Sequence, residues 1–170
     1  VTKAVKIRHG GLGDIPVVLS MFDSAVAWLV GEGLTGQWGD QPFSLQPERI
    51  EMVTAFASGD GMRIAEVDGR PAGCAALGEP LEYVEPAGEP ELYVRWLVVD
   101  RAYAGLGVGH ALLDHAAEEA AAAGVGLLRL DCYAGGGGRL MAYYESVGFA
   151  PASHFTVRDW PGRVMERRVL

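Results

Sequence analysis

The spacing of apolar positions along the chain changes period several times, and each change predicts an element. Positions 4–8 alternate in character and read as a short first strand, closed by Gly10-Gly11. Asp14 then stands where a helix cap belongs. Pro16 falls in the first turn, where a missing N–H costs nothing, and the apolar run continues to Val30 before Gly31 and Gly33 stop it. Residues 34–45 turn to Gly, Gln, Asp and Pro with Trp38 and Phe43 among them, the composition of an ordered loop. A second helix is predicted over 47–57, where Ile50, Val53 and Ala57 recur at helical spacing. Two short apolar runs, 62–67 and 72–77, flank Asp68-Gly69, a strong hairpin signal. The Pro- and acid-rich stretch 79–90 reads as a mobile connector. Positions 91–100 are apolar throughout their second half, as in a strand covered on both faces.

The clearest helix follows at 108–123. Leu112, Leu113, Ala116, Ala117 and Ala120 share one side, with Asp114, His115, Glu118 and Glu119 on the other, and Gly124 ends it. Positions 127–132 make another apolar strand, 135–138 a four-glycine break, and 139–147 a helix with Gly148 as its C-terminal cap. The tail, 152–158 and 164–169, reads as a hairpin joined through Pro161-Gly162. The order β, α, α, β, β, β, α, β, α, β, β, with hairpins near both ends and one βαβ crossover, implies an α+β fold: a mixed, mostly antiparallel sheet of about seven strands flanked by about four helices.

At 170 residues the chain suits a single domain spanning 1–170, with an ordinary hydrophobic core within reach. Its 49% apolar and 21% charged residues exclude disordered, collagenous and coiled-coil classes. Fourteen Lys and Arg against 22 Asp and Glu leave a net charge of −8, which repels nucleic acid and acidic membranes and favours cationic substrates. Two isolated cysteines, Cys74 and Cys132, give no disulfide framework, so a reducing, cytoplasmic setting is the expectation. No leader peptide and no uninterrupted run of about 18 apolar residues are found, and no membrane association is expected. The four histidines are dispersed, so no metal site is expected.

Chemistry concentrates where a buried strand meets Gly105, Gly107 and Gly109 at alternate positions and then a helix. Glycine lets backbone approach a ligand closely, and the unpaired N–H groups of a helix start favour an anion such as pyrophosphate. No lysine follows the glycines, which argues against a nucleoside triphosphatase. A dinucleotide fingerprint would need a small residue where His110 stands, so a dinucleotide-binding oxidoreductase is weakened but stays open.

Two motifs in register carry a resemblance. Ala104, Gly105, Leu106, Gly107, Val108 and Gly109 resemble the acetyl-CoA loop of the GCN5-related N-acetyltransferases (GNAT), and Tyr144, Glu145, Ser146, Val147, Gly148 and Phe149 resemble that family's later aromatic-rich helix end. The resemblance extends over nearly the whole chain and implies the GNAT fold. It implies acetyl-CoA bound by the loop from Ala104 to His110 and by the main chain of Leu97, Val98 and Val99. It also implies direct acetyl transfer to a primary amine of a small molecule or peptide, with no enzyme nucleophile. Tyr144 matches the family's general acid, and a phenol is neutral at pH 7. Glu91, at the start of the central strand, is the candidate base, with Tyr93 two residues on along the same face. Trp38, Phe43 and Tyr93 are candidates for the acceptor side of the cleft. Two departures stand out: Ala104 replaces the usual Arg or Gln, and Gly137 falls where many members carry an Asn that touches the pantetheine arm. These departures keep a second reading open, an acyl-CoA-binding sensor with little turnover. A homodimer stays open too.

Overall fold

Asp68 and Gly69 both take positive φ, 52° and 74°, the paired left-handed geometry that a two-residue hairpin turn requires. They join β2 (Met62–Val67) to β3 (Arg70–Gly78) in an antiparallel pair. The computed structural model describes residues 4–170; positions 1–3, the start of the stretch read for a leader peptide, lie outside the described residues. The remaining elements are β1 (Val5–His9), α1 (Ile15–Gly31), α2 (Pro47–Ser58), β4 (Glu91–Val99), α3 (Val108–Ala122), β5 (Leu127–Tyr133), α4 (Arg139–Ser146), β6 (Ala150–Val157) and β7 (Trp160–Arg168). Seven strands form one sheet in the order β1-β2-β3-β4-β5-β7-β6. β1 with β2, β5 with β7 and β6 with β7 are antiparallel, while β4 and β5 run parallel. This is the mixed, mostly antiparallel α+β arrangement that the element order implied.

Two compact units divide the chain. One comprises the residues up to Ala76 together with Trp96–His115, the other Leu77–Arg95 and Ala116–Leu170. In the first, Val18, Met21, Phe22 and Val26 of α1 bury their side chains with Phe43, Val53, Met62, Ile64, Cys74 and Val98. The stretch Leu12–Gly31 is long and apolar enough by composition to cross a bilayer, although Asp14 and Asp23 interrupt it. Its apolar stripe is committed here to that core. Asp14, expected to cap α1, makes no side-chain cap bond. Its carboxylate instead accepts from Arg8 at 2.8 and 3.1 Å and from the Gly11 N–H at 2.9 Å, because a charged, bidentate partner outbids a single amide. The Arg8 guanidinium accordingly holds the Asp14 carboxyl below its usual range.

In the second unit Leu128, Leu130 and Cys132 of β5 are buried, and Val84, Tyr93 and Val164 form a separate cluster with Ala152 and Phe155 against it. The connector 79–90 is pinned rather than mobile. Val84 enters that cluster, the Glu85 carbonyl accepts from Arg129 at 3.0 Å, and Glu89 pairs with Arg168. The closing hairpin also turns earlier than expected. Pro161 and Gly162 lie inside β7, and the turn falls at Arg158 and Asp159, with Arg158 at φ 55°. Gly162 has a packing reason instead: a Cβ there would run into the Phe155 ring, which lies across the glycine.

Gly73 in β3 is equally constrained, since a Cβ would meet Val108 Cγ1 at 2.7 Å and the Val98 carbonyl oxygen at 3.0 Å. Gly73→Ala is expected to lower unfolding free energy by about 1–3 kcal/mol, measured by denaturant titration.

Candidate active site

The glycine loop is shaped by its own main chain. Asp100 receives the Ala102 N–H on its side chain at 2.9 Å and the Tyr103 N–H on its carbonyl at 2.9 Å, making a short turn after β4. Gly105 and Gly107 then take φ of 79° and 76°, where L side chains are strained, and nothing lies within 4 Å of a Cβ built on either. The first main-chain bond into α3 runs from the Ala111 N–H to the Gly107 carbonyl at 3.0 Å. Among the described residues, the N–H groups of 105–110 donate to no protein carbonyl. The site is thus a run of open donors with the positive end of a helix behind it, suited to an anion. Ala104 is exposed and contributes no polar side chain there; its own N–H bonds to the Arg101 carbonyl at 3.2 Å. His110 is exposed and faces Asp114 one turn along, Nε2 to Oδ2 3.4 Å. Val98 is a core residue, with Leu97 and Val99 half-buried beside it on the strand.

Two of the expected acceptor-side aromatics are engaged in packing within the first unit. Phe43 is only 1% exposed, its ring stacked on Phe22 at 4.4 Å, so it has no face left for a ligand. Trp38 is half-buried, edge-on to Phe22 at 5.3 Å and to Phe43 at 5.7 Å. Trp96, half-buried on β4 and edge-on to Phe22 at 5.2 Å, was not singled out by sequence.

The second unit holds the titratable groups. Glu91 receives the Arg129 guanidinium bidentately, Nε to Oε1 2.9 Å and an Nη to Oε2 3.0 Å. Both carboxylate oxygens are therefore occupied by a buried cation, which leaves Glu91 a structural partner and not an open proton acceptor. Tyr93, 1% exposed, donates its O–H to Asp131 Oδ2 at 2.5 Å, a distance typical of a charge-assisted bond. Asp131 itself is half-buried, and among the described residues its Oδ1 has no hydrogen-bond partner. Burial raises the Asp131 pKa above its ordinary 3.8, against the opposing pull of the Tyr93 hydroxyl and the Arg95 charge. In the sequence this residue is inconspicuous, because a single Asp in an apolar strand looks unremarkable until its cross-strand partner is known. The usable signal was polarity itself: Asp131 interrupts a strand whose neighbours are buried apolar residues.

Tyr144 on α4 is 8% exposed, with Tyr143 edge-on at 5.2 Å and Phe149 edge-on at 5.9 Å. Burial, then the neighbouring Cys132, Tyr143 and Asp131, push its phenol well above the ordinary range, so it stays protonated. Gly137 lies in a run of three glycines, 136–138, at φ 62°, 75° and 77°, with open space around its Cβ position. Among the described residues no three His, Cys, Asp or Glu side chains group as for a metal.

A family model described as the acetyltransferase (GNAT) family matches residues 24–149. The chain belongs to that family. It is an acetyltransferase whose fold recurs in solved structures at low identity. An acetyltransferase of the GNAT family from Listeria monocytogenes shares 20% identity at a TM-score of 0.76, over 99% of this chain and 98% of that one. A GCN5-related N-acetyltransferase from Rhodopseudomonas palustris shares 19% at 0.73, over 99% and 98%. YncA of Salmonella typhimurium, whose structure holds its cofactor acetyl-CoA, shares 18% at 0.67, over 98% and 95%. No curated protein matches the chain.

The raised Asp131 pKa has a sign. Folding favours its protonated form, so its contribution is present below the ordinary 3.8 and is lost as pH climbs through the raised value. Asp131→Asn, which keeps an acceptor for Tyr93, is expected to melt above the parent at neutral pH, with the gap closing in acid; thermal scans across pH check this.

Proposed function

We propose that this acetyltransferase moves an acetyl group from acetyl-CoA to a primary amine of a small molecule or peptide by direct attack of the neutral amine. The observation that carries the reading is the loop 105–110, whose main-chain donors are open at the start of α3 and whose positive-φ glycines hold side chains away from them. Acetyl-CoA supplies the activated thioester and a diphosphate. The loop amides bind that diphosphate, so backbone geometry substitutes for the side chain missing at Ala104. The main chain of Leu97, Val98 and Val99 orients the pantetheine arm.

Tyr144, neutral across the physiological range, gives its proton to the leaving thiolate. Asp131 replaces Glu91 as the proton acceptor. Its Oδ2 is fixed by Tyr93, its Oδ1 is open, and a carboxylate with a raised pKa takes a proton more readily near neutrality than an ordinary one. Tyr93 is a positioning residue that orients Asp131.

Thiol release from acetyl-CoA over a panel of amines tests the reading, with thermal scans on acetyl-CoA and on NAD(P) beside it. Stabilisation by NAD(P) alone overturns it, and tight acetyl-CoA binding without turnover of any amine favours the sensor. Gly107→Val is expected to weaken acetyl-CoA binding by about tenfold or more, measured by calorimetry, because valine is strained at that φ and crowds the donors. Tyr144→Phe is expected to lower kcat by about 10²–10⁴-fold with little change in acetyl-CoA affinity.

A further inference from the structure

Asp131 shares its sheet face with a row of aromatic rings that the chemistry above does not use. In the β5–β7 register Asp131 stands opposite Val164 and Tyr133 opposite Gly162, and in the β6–β7 register Phe155 stands opposite the same Gly162. Residues directly opposite in antiparallel strands share a face, and so do residues two apart along one strand. Asp131, Tyr133, Phe155 and Trp160 therefore project from one side of the second unit.

Their rings form a continuous path. Tyr133 meets Trp160 at 5.6 Å, Trp160 meets Phe155 at 6.2 Å and 28°, and Phe155 meets Tyr83 at 4.8 Å. Two glycines let rings of this path lie close over the backbone. The Phe155 ring lies across Gly162, and the hydroxyl end of Tyr133 lies across Gly135; a Cβ at either glycine would collide with the ring above it. Phe155 packs partly against the Val84, Tyr93 and Val164 cluster, but none of the four rings is fully buried. Tyr133, Phe155 and Trp160 are half-buried and Tyr83 is 40% exposed, so their outer faces meet solvent. A partly exposed apolar strip ending at a half-buried carboxylate with one open oxygen is the combination expected of a ligand subsite. Arg95, on β4, acts on Asp131 and on Tyr83 at one end of the row, while Tyr133 and Trp160 make the other end.

We infer that Tyr83, Phe155, Trp160 and Tyr133 form the acceptor's side-group subsite, and that the acceptor is an amine carrying an aromatic ring a short linker from its nitrogen. The inference rests on the amine acceptor proposed above. Two residues of extended strand separate Asp131 from Tyr133, roughly 7 Å, so a nitrogen held at the carboxylate leaves its ring over Tyr133 and Trp160 when the linker is about two carbons. Offset and edge contacts with these rings favour a flat aromatic body over a puckered aliphatic one of equal size.

Calorimetric titration of the full chain, with coenzyme A present, compares phenethylamine with cyclohexylethylamine. Phenethylamine is expected to bind about tenfold tighter, and Trp160→Leu or Tyr83→Leu to reduce that ratio severalfold while coenzyme A binding in the same samples shows the fold intact. Equal binding of the two amines overturns the inference, as does a ratio that survives both substitutions. Binding preference without thiol release from acetyl-CoA leaves the subsite standing and removes the catalytic reading. Thiol release with both amines and no preference does the reverse.

Discussion

A charge taken out of water must be answered by the protein, and in the second unit the answer organises everything around it. Arg129 sits in β5 between Leu128 and Leu130, only 3% exposed. Unpaired, such a cation would cost several kcal/mol. Glu91 takes two of its N–H groups and the Glu85 carbonyl a further one, while its guanidinium lies 5.9 Å from the Tyr93 ring. One side chain thereby fixes where β4 begins, how the connector before it runs, and which way Tyr93 points. Tyr93 in turn fixes Asp131. The ion pair is a framing element whose loss would unseat the carboxylate two residues along the same strand.

A different logic governs the first unit. There the open polar groups of the glycine loop are main-chain amides, and what matters is the absence of side chains at Gly105 and Gly107 and the termination of β4 by the Asp100 turn. The apolar cluster of α1, α2, β2 and the end of β4 holds that turn in place, with the Arg101 N–H tied to the Ser24 hydroxyl at 3.2 Å. Rigid packing beneath and open donors above are what anion recognition by backbone requires.

Sequence reasoning recovered the element order because periodicity is a local property: the stripe of α3 and the Asp68-Gly69 turn are legible from neighbouring residues alone. It also found the glycine loop, since alternate glycines between a strand and a helix carry a backbone meaning. It misplaced the closing turn because Pro161-Gly162 looks like turn chemistry, whereas Gly162 is small for the sake of Phe155, a cross-strand fact. Glu91 looked like a free carboxylate for the same reason: its partner lies 38 positions away. Asp131 and the aromatic row were hidden because their meaning depends on register, which no single strand reveals. Phe43 was credited to a ligand because a loop's composition does not say which rings turn inward.

The helix that carries Tyr144 is eight residues long and follows three consecutive glycines at positive φ. A helix that short cannot sustain itself in water, and achiral residues before it lose the most chain entropy on ordering. Its integrity is borrowed from the strands beneath. The pairing of β5, β6 and β7, which α4 touches, therefore sets its stability. Tyr144 is thus held in place less by its own helix than by the sheet on which that helix rests, so a change in the strands is felt at its ring.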